Sequence, residues 1–168
     1  MTGERLDALL AQVIGQARLM GIPVARAIDP HVVVNTRART RFGCCRRERG
    51  RYTVEVAAAL LEAEESAVCQ VLAHEVLHTC PGCANHGVRW QRWAGIMSRQ
   101  FGYHIHRTDS HAALGLEDDR PVRYLVVCRK CGNTLSRMKR SALVEHLERY
   151  RCKCGGELFV TTPAEYNK

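Results

Sequence analysis

His74-Glu75-Val76-Leu77-His78, followed shortly by His86 within Ala84-Asn85-His86-Gly87, decides how this chain is read. Residues four apart share one face of a helix. His74 and His78 can therefore aim both imidazoles at one ion, and Glu75 lies next to the first of them, within reach of a metal-bound water. A catalytic zinc takes three protein ligands and leaves a fourth position open. His86 is the natural third ligand. Without a metal, two imidazoles and a carboxylate crowded on one helix face would carry an unrelieved desolvation cost.

Working outward, apolar residues recur at Leu6, Leu9/Leu10, Val13/Ile14, Ala17 and Met20, which predicts a first helix over 4–20, ended by Gly21-Ile22-Pro23. Residues 31–35, 40–45 and 51–56 read as strands, the last two joined by a turn over 46–50. The acids of 62–65 mark the start of the motif helix, and Cys80-Pro81-Gly82-Cys83 stops it. A further helix carries Trp90, Trp93/Ala94, Met97 and Phe101 at helical spacing, a stripe expected to be core. Residues 103–107 are a candidate short strand, and polar 108–121, with Glu117-Asp118-Asp119, a candidate linker.

The chain has 168 residues and 46% hydrophobic content, enough for one modest core plus an appendage. No run of eighteen apolar residues occurs, so no membrane span is expected. Glu4 and Asp7 near the start do not fit a secretory signal pattern. The expected location is the cytoplasm, with nucleoid association as a further option. Nine cysteines in a reducing compartment point to metal rather than disulfides.

The net charge of +8 is unevenly placed. Residues 1–119 carry a net +1 and residues 120–168 a net +7, while Arg37–Arg51 alone carries +6. Two basic patches on a near-neutral body suggest a polyanionic partner, most simply nucleic acid.

Cys128-Arg129-Lys130-Cys131-Gly132 and Cys152-Lys153-Cys154-Gly155-Gly156 are two cysteine pairs twenty residues apart. Cys128, Cys131, Cys152 and Cys154 read as a structural four-thiolate zinc, with glycine after each pair for the knuckle turn. The module is too small for a core of its own, so the metal should supply much of its folding energy. Arg129, Lys130, Arg137, Lys139, Arg140, Arg149, Arg151 and Lys153 decorate it. These predict salt-sensitive contact with DNA phosphates and little sequence preference.

Asn35-Thr36-Arg37-Ala38-Arg39, Phe42-Gly43-Cys44, the His-Glu-x-x-His helix, His86-Gly87-x-x-Trp90 and a cysteine module follow one another along residues 5–160. That order resembles the SprT-like metallopeptidases, the family that includes Spartan. The resemblance implies an α+β fold, with a zincin-like metallopeptidase core over 1–115, a small zinc ribbon over 120–162 and a tail over 163–168. It also implies that His74, His78 and His86 hold a catalytic zinc and that Glu75 is catalytic. With the thiolate site this makes two zinc ions per chain. The expected substrate is protein bound or crosslinked to DNA, since the family's better-understood members are DNA-dependent proteases. One alternative is a non-enzymatic nucleic-acid-binding adaptor with both zincs structural, which would have no need of Glu75; another is a hydrolase of a non-protein substrate. Tyr52, Tyr103 and the nearby arginines are candidates for stabilising the oxyanion. The short loop over 79–85 departs from the family by carrying Cys80 and Cys83. These could ligate the metal or form a reversible disulfide; two reduced thiols bracketing a Pro-Gly turn is the expectation. Cys69 is expected in the core, and one of Cys44 and Cys45 should face inward.

Overall fold

A computed structural model describes residues 1–118 and 120–166. Asp119 of the expected linker and residues 167–168 of the expected tail lie outside the described residues. The chain divides into two compact units, one ending at Glu117 and the other beginning at Asp118.

In the first unit, α1 (Gly3–Leu19) opens where the Thr2 hydroxyl accepts the Arg5 N–H and buries Leu6, Leu9, Leu10, Val13 and Ala17. Three strands follow: β1 (Val33–Asn35), β2 (Gly43–Glu48) and β3 (Arg51–Ala57). They form a sheet of order β1-β3-β2, with β1 parallel and β2 antiparallel to β3. The β2–β3 turn is tighter than the sequence suggests. Glu48 pairs with Arg51, and only Arg49 (φ 48°) and Gly50 (φ 84°) lie between, both in the positive-φ region of a two-residue type I′ turn. Arg46, Arg47 and Glu48 thus belong to β2, whereas residues 40–42 precede it.

The motif helix, α2 (Glu65–Leu77), starts after a 3-10 turn over Ala58–Glu62, three residues later than the acidic run implied. Nearly every residue from Val68 to Leu77 is buried, because α1, β2, β3 and the next helix all pack around it. That next helix, α3 (Val88–Phe101), buries Trp90, Ala94 and Met97.

Two sequence expectations change here. Residues 103–107 are not a strand, because their N–H groups bond to side chains: His104 N–H to Gln70 Oε1 (3.1 Å) and Ile105 N–H to Ser98 Oγ (3.3 Å). The start of the supposed linker is part of the packed unit, with Leu114 buried and the Phe42 and His111 rings 4.7 Å apart.

The second unit has β4 (Tyr124–Cys128) between β5 (Thr134–Arg137) and β6 (Leu158–Thr161), all antiparallel, with a one-turn helix α4 (Ala142–Glu145). Among its described residues only Val126, Val127, Cys128 and Val144 are buried hydrophobics, too few to hold such a unit by burial alone. The whole is α+β. Among the described residues no helix is long and apolar enough to cross a membrane.

Candidate active site and metal centres

The position of α2 follows from its burial, and its polar end emerges beside the N-terminus of α3. There His74, His78 and His86 bring one ring nitrogen each to within 4.8 Å of the others. Nε2 of His86 lies 2.9 Å from Nε2 of His74 and 3.2 Å from Nε2 of His78. Tetrahedral zinc with bonds of about 2.0–2.1 Å would space its nitrogens by about 3.3 Å, so the three fit one ion after slight adjustment. The donor set fits as well. His74 Nδ1–H donates to His106 O (2.8 Å) and His78 Nδ1–H to Cys83 O (2.7 Å), which leaves both Nε2 lone pairs facing the centre. Burial, then the neighbouring imidazoles, pushes His74 down to about 4; burial, His78 and Arg107 lower His86. Neutral imidazole is the form that ligates.

Beneath the three rings lies Trp90, with centroids 4.7, 5.7 and 4.6 Å from His74, His78 and His86. It is core, as its spacing implies, and it is also the floor that fixes the imidazoles. His86-Gly87-x-x-Trp90 carried that information, because one turn of α3 returns Trp90 under His86.

Glu75 is 6% exposed. Burial pushes its carboxyl up to about 7, against the opposing pull of the Cys45 backbone N–H. Gly43 on β2 passes directly against it. A Cβ there would stand 2.5 Å from Glu75 Oε1, so only glycine lets the strand pass this close. Cys44 and Cys45 are both half-buried, and desolvation raises the Cys45 thiol to about 12. Two clefts flank the site. One, of about 150 Å³, touches Phe42, Gly43, His74, Glu75 and Arg107; the other, of about 610 Å³, touches Cys45, Tyr52, Glu75, His78, His86 and Arg107.

In the second unit the four sulfurs of Cys128, Cys131, Cys152 and Cys154 also lie within 4.8 Å of one another. Cys128 and Cys154 sulfurs are 3.5 Å apart, Cys131 and Cys152 sulfurs 3.6 Å. Four thiolates about 2.3 Å from one zinc stand about 3.8 Å apart, so this set fits zinc too. The glycines after the pairs, Gly132 (φ 70°) and Gly155 (φ 78°), take the positive φ of the knuckles. Gly156, which sequence reading gave no separate role, has a stricter duty: a Cβ there would be 2.7 Å from Cys128 Sγ. Backbone N–H groups of Cys131 and Lys130 hold the Cys128 thiol below its usual range, while the neighbouring thiols of Cys131, Cys128 and Cys152 raise Cys154.

The SprT-like family model matches residues 23–111, more than half of the chain and all of the histidine site. This chain belongs to the SprT-like family. A structural comparison aligns 60% of it with 99% of the chain in the crystal structure of the metallopeptidase zymogen of Pyrococcus abyssi abylysin, at 14% identity and a TM-score of 0.43. No curated protein matches the sequence.

The SprT-like motifs ahead of α2 form a brace that sequence reading did not resolve. Buried Glu55 on β3 accepts from Asn35 Nδ2 and Arg41 (2.7 Å each) and pairs with Arg46 at 2.7 Å. Asn35 Oδ1 in turn accepts the N–H groups of Arg37 and Ala38 (2.8 and 3.0 Å). The loop leading to Gly43 is thereby tied to the sheet. Of the oxyanion candidates, Tyr103 is turned away, its hydroxyl donating to Gln16 at 2.6 Å, while Tyr52 lines the larger cleft. Cys80 and Cys83 are buried, belong to neither ligand cluster and are free thiols. The backbone carbonyl of Cys83, not its sulfur, serves the site by holding His78. Cys69 is core.

The basic residues of the second unit are mostly exposed, Arg137 being half-buried. Among the described residues Arg129, Lys130, Arg137, Lys139, Arg140, Arg151 and Lys153 make no ion pair, whereas Arg149 pairs with Glu148 at 3.7 Å. The Arg129 guanidinium lies 4.8 Å over the Phe159 ring.

Proposed function

We propose that this SprT-like chain is a zinc metalloendopeptidase of the cytosol that acts on DNA-bound or DNA-crosslinked proteins. The observation carrying this reading is the convergence of His74, His78 and His86 with buried Glu75 beside them. His74, His78 and His86 would hold the zinc, which supplies an acidified water and a polarised carbonyl. Glu75 takes a proton from the attacking water and gives it to the leaving amine. Gly43 and the Cys45 N–H hold the carboxylate in place for that transfer. A site serving structure alone would have no use for a nearly water-free carboxylate next to a metal ligand.

Cys128, Cys131, Cys152 and Cys154 would hold a second zinc that folds the C-terminal unit. Four thiolates on a divalent ion leave about −2, so the net +7 of residues 120–168 becomes about +5. That charge, free of carboxylate partners at seven positions, supports docking on phosphate. The test is cleavage of a DNA-binding protein by the full chain, with and without single- and double-stranded DNA. Cleavage stimulated by DNA supports the whole reading; cleavage indifferent to DNA leaves a peptidase without this targeting; no cleavage by zinc-loaded chain refutes it.

A further inference from the structure

We propose that Arg107 is the electrophile of the active site, the group whose N–H donors meet the scissile carbonyl oxygen as it becomes an oxyanion. The proposal rests on the peptidase reading above and names a catalytic residue that none of the motifs contains.

Arg107 belongs to both clefts at the site. It lines one cleft together with Gly43, His74 and Glu75, and the other together with Glu75, His78 and His86. The other cations at these clefts are occupied. Arg41 bonds to Glu55 at 2.7 Å, and Arg47 lies over the Tyr52 ring at 5.5 Å. Among the described residues Arg107 has no ion-pair partner, so its donors are available to a substrate oxygen.

Its backbone is held more firmly than an exposed side chain would suggest. The stretch from His104 to Asp109 is tied down at four points. Gln70, buried on α2, accepts from His104 N–H (3.1 Å) and donates to Asp109 Oδ1 (3.2 Å). Ser98 Oγ accepts Ile105 N–H (3.3 Å), and His106 O accepts His74 Nδ1–H (2.8 Å). Arg107 follows directly after the carbonyl that orients a metal-binding imidazole. Its Cα is therefore fixed relative to the reacting centre, which is what preorganised stabilisation of a developing charge requires. These ties also explain why residues 103–107 are not a strand: their polar groups are spent on positioning.

In the step itself, the water oxygen bonds to the carbonyl carbon, the π pair moves onto the carbonyl oxygen, and Glu75 takes the proton. Arg107 N–H groups donate to that oxygen while it carries the charge. When the C–N bond breaks, the pair returns from oxygen to carbon, and the nitrogen leaves with the bonding electrons and a proton from Glu75. The interaction strengthens only as charge develops, so its loss should appear in kcat rather than KM.

The experiment uses the full chain and its Arg107→Gln and Arg107→Lys variants. It reads zinc content, cleavage of fluorescein-labelled casein over a range of concentrations with DNA present, and binding of a phosphonamidate peptide, whose tetrahedral anionic phosphorus mimics the adduct. Arg107→Gln should keep both zincs, lose about 10²–10³ in kcat with KM nearly unchanged, and bind the phosphonamidate weaker by a similar factor. Arg107→Lys keeps the charge without the planar donor pair and should fall between. Unchanged kcat and unchanged phosphonamidate affinity in Arg107→Gln overturn the proposal alone, as does a loss confined to KM. A zinc-loaded parent chain that neither cleaves casein nor binds the phosphonamidate overturns the peptidase reading and this proposal with it.

Discussion

His74 stands on, and His78 caps, a helix that buries Val68, Val71, Leu72, Val76 and Leu77 in a core shared with α1 and the sheet. Cys128 and its three partners stand in a unit whose described residues bury only four hydrophobic side chains, one of them Cys128 itself. The two proposed metal centres are therefore supported in opposite senses. In the first unit the fold makes the site, and the site is held ready by Trp90 below and by carbonyls behind two of its imidazoles. In the second unit a metal on the four cysteines would make the fold, because little else draws β4, the knuckles and α4 together.

Metal removal is the sharpest way to break this comparison, and it carries the largest expected effect. Apparent zinc affinities of small thiolate modules are worth about 10–16 kcal/mol near neutral pH, far beyond what four buried side chains contribute. Chelation of the full chain should erase the dispersed amide signals of residues 120–166 and leave those of the first unit in place, read by two-dimensional NMR. Cys128→Ser should do the same and lower zinc content by one equivalent. A second unit that stays folded without metal would make the two centres alike.

Within the first unit, function should be separable from fold. Glu75→Gln keeps nearly the same shape and removes the base, so the chain should retain two zincs and its melting temperature. Casein cleavage should drop by about 10²–10⁴, the usual contribution of a positioned proton-transfer group. His78→Ala should instead lose the metal from this site while the fold remains, since the core beneath is complete. Cleavage at the normal rate by Glu75→Gln would remove Glu75 from the mechanism.

Gly43→Ala and Gly156→Ala sharpen the same contrast with one methyl group each. The first would place a carbon 2.5 Å from Glu75 Oε1, and the second 2.7 Å from Cys128 Sγ. Overpacking of this kind costs about 1–3 kcal/mol. At Gly43 the neighbour that must yield is the carboxylate proposed as the base, so kcat should fall about tenfold or more with zinc retained. At Gly156 the neighbour is a proposed metal ligand, so zinc affinity and the folding of the second unit should fall together. Equal effects on zinc content in both variants would contradict the distinction.

How much of this was legible in the sequence follows from the range of each signal. The three histidines, Glu75 and the four cysteines are read from spacing within one helix, one turn or one knuckle, and the geometry brings each set together. The helices α1, α2 and α3 were visible through apolar periodicity. What the sequence hid depends on contacts between elements distant in the chain. Gly43 meets Glu75 across thirty-two positions, and Gln70 holds Asp109 across thirty-nine. The segment 103–107 looked like a strand because Tyr103 and Ile105 alternate inward; its N–H groups go to side chains that no local pattern reveals. Glu55 sits in an alternating strand and gives no local hint that it braces two arginines.

The basic surface of the second unit tests whether the two units also divide binding from chemistry. Arg137→Glu, Lys139→Glu and Arg140→Glu together should weaken binding to unrelated DNA sequences. The slope of log affinity against log salt should flatten by roughly 2–3, about 0.9 per lost phosphate contact. Zinc content and DNA-independent cleavage should not change, because these positions contribute no ligand. Unchanged DNA affinity would shift the binding surface to Arg37, Arg39, Arg47 and Arg49, which make no ion pair among the described residues.

The smallest expected effect concerns Cys80 and Cys83, the thiols of the turn that leads to His86. Both are buried, burial raises both thiols, and their sulfurs belong to neither ligand cluster, so neither is placed to compete for zinc. The group that serves the site is the Cys83 carbonyl at 2.7 Å from His78 Nδ1, which any side chain at this position leaves in place. Cys80→Ala with Cys83→Ala should cost only about 1–2 kcal/mol of stability from lost packing. Zinc stoichiometry and casein cleavage should stay near those of the parent chain, under reducing conditions and after mild oxidation. A cleavage rate that falls on oxidation in the parent chain but not in the double variant would instead make this turn a redox switch acting on His78.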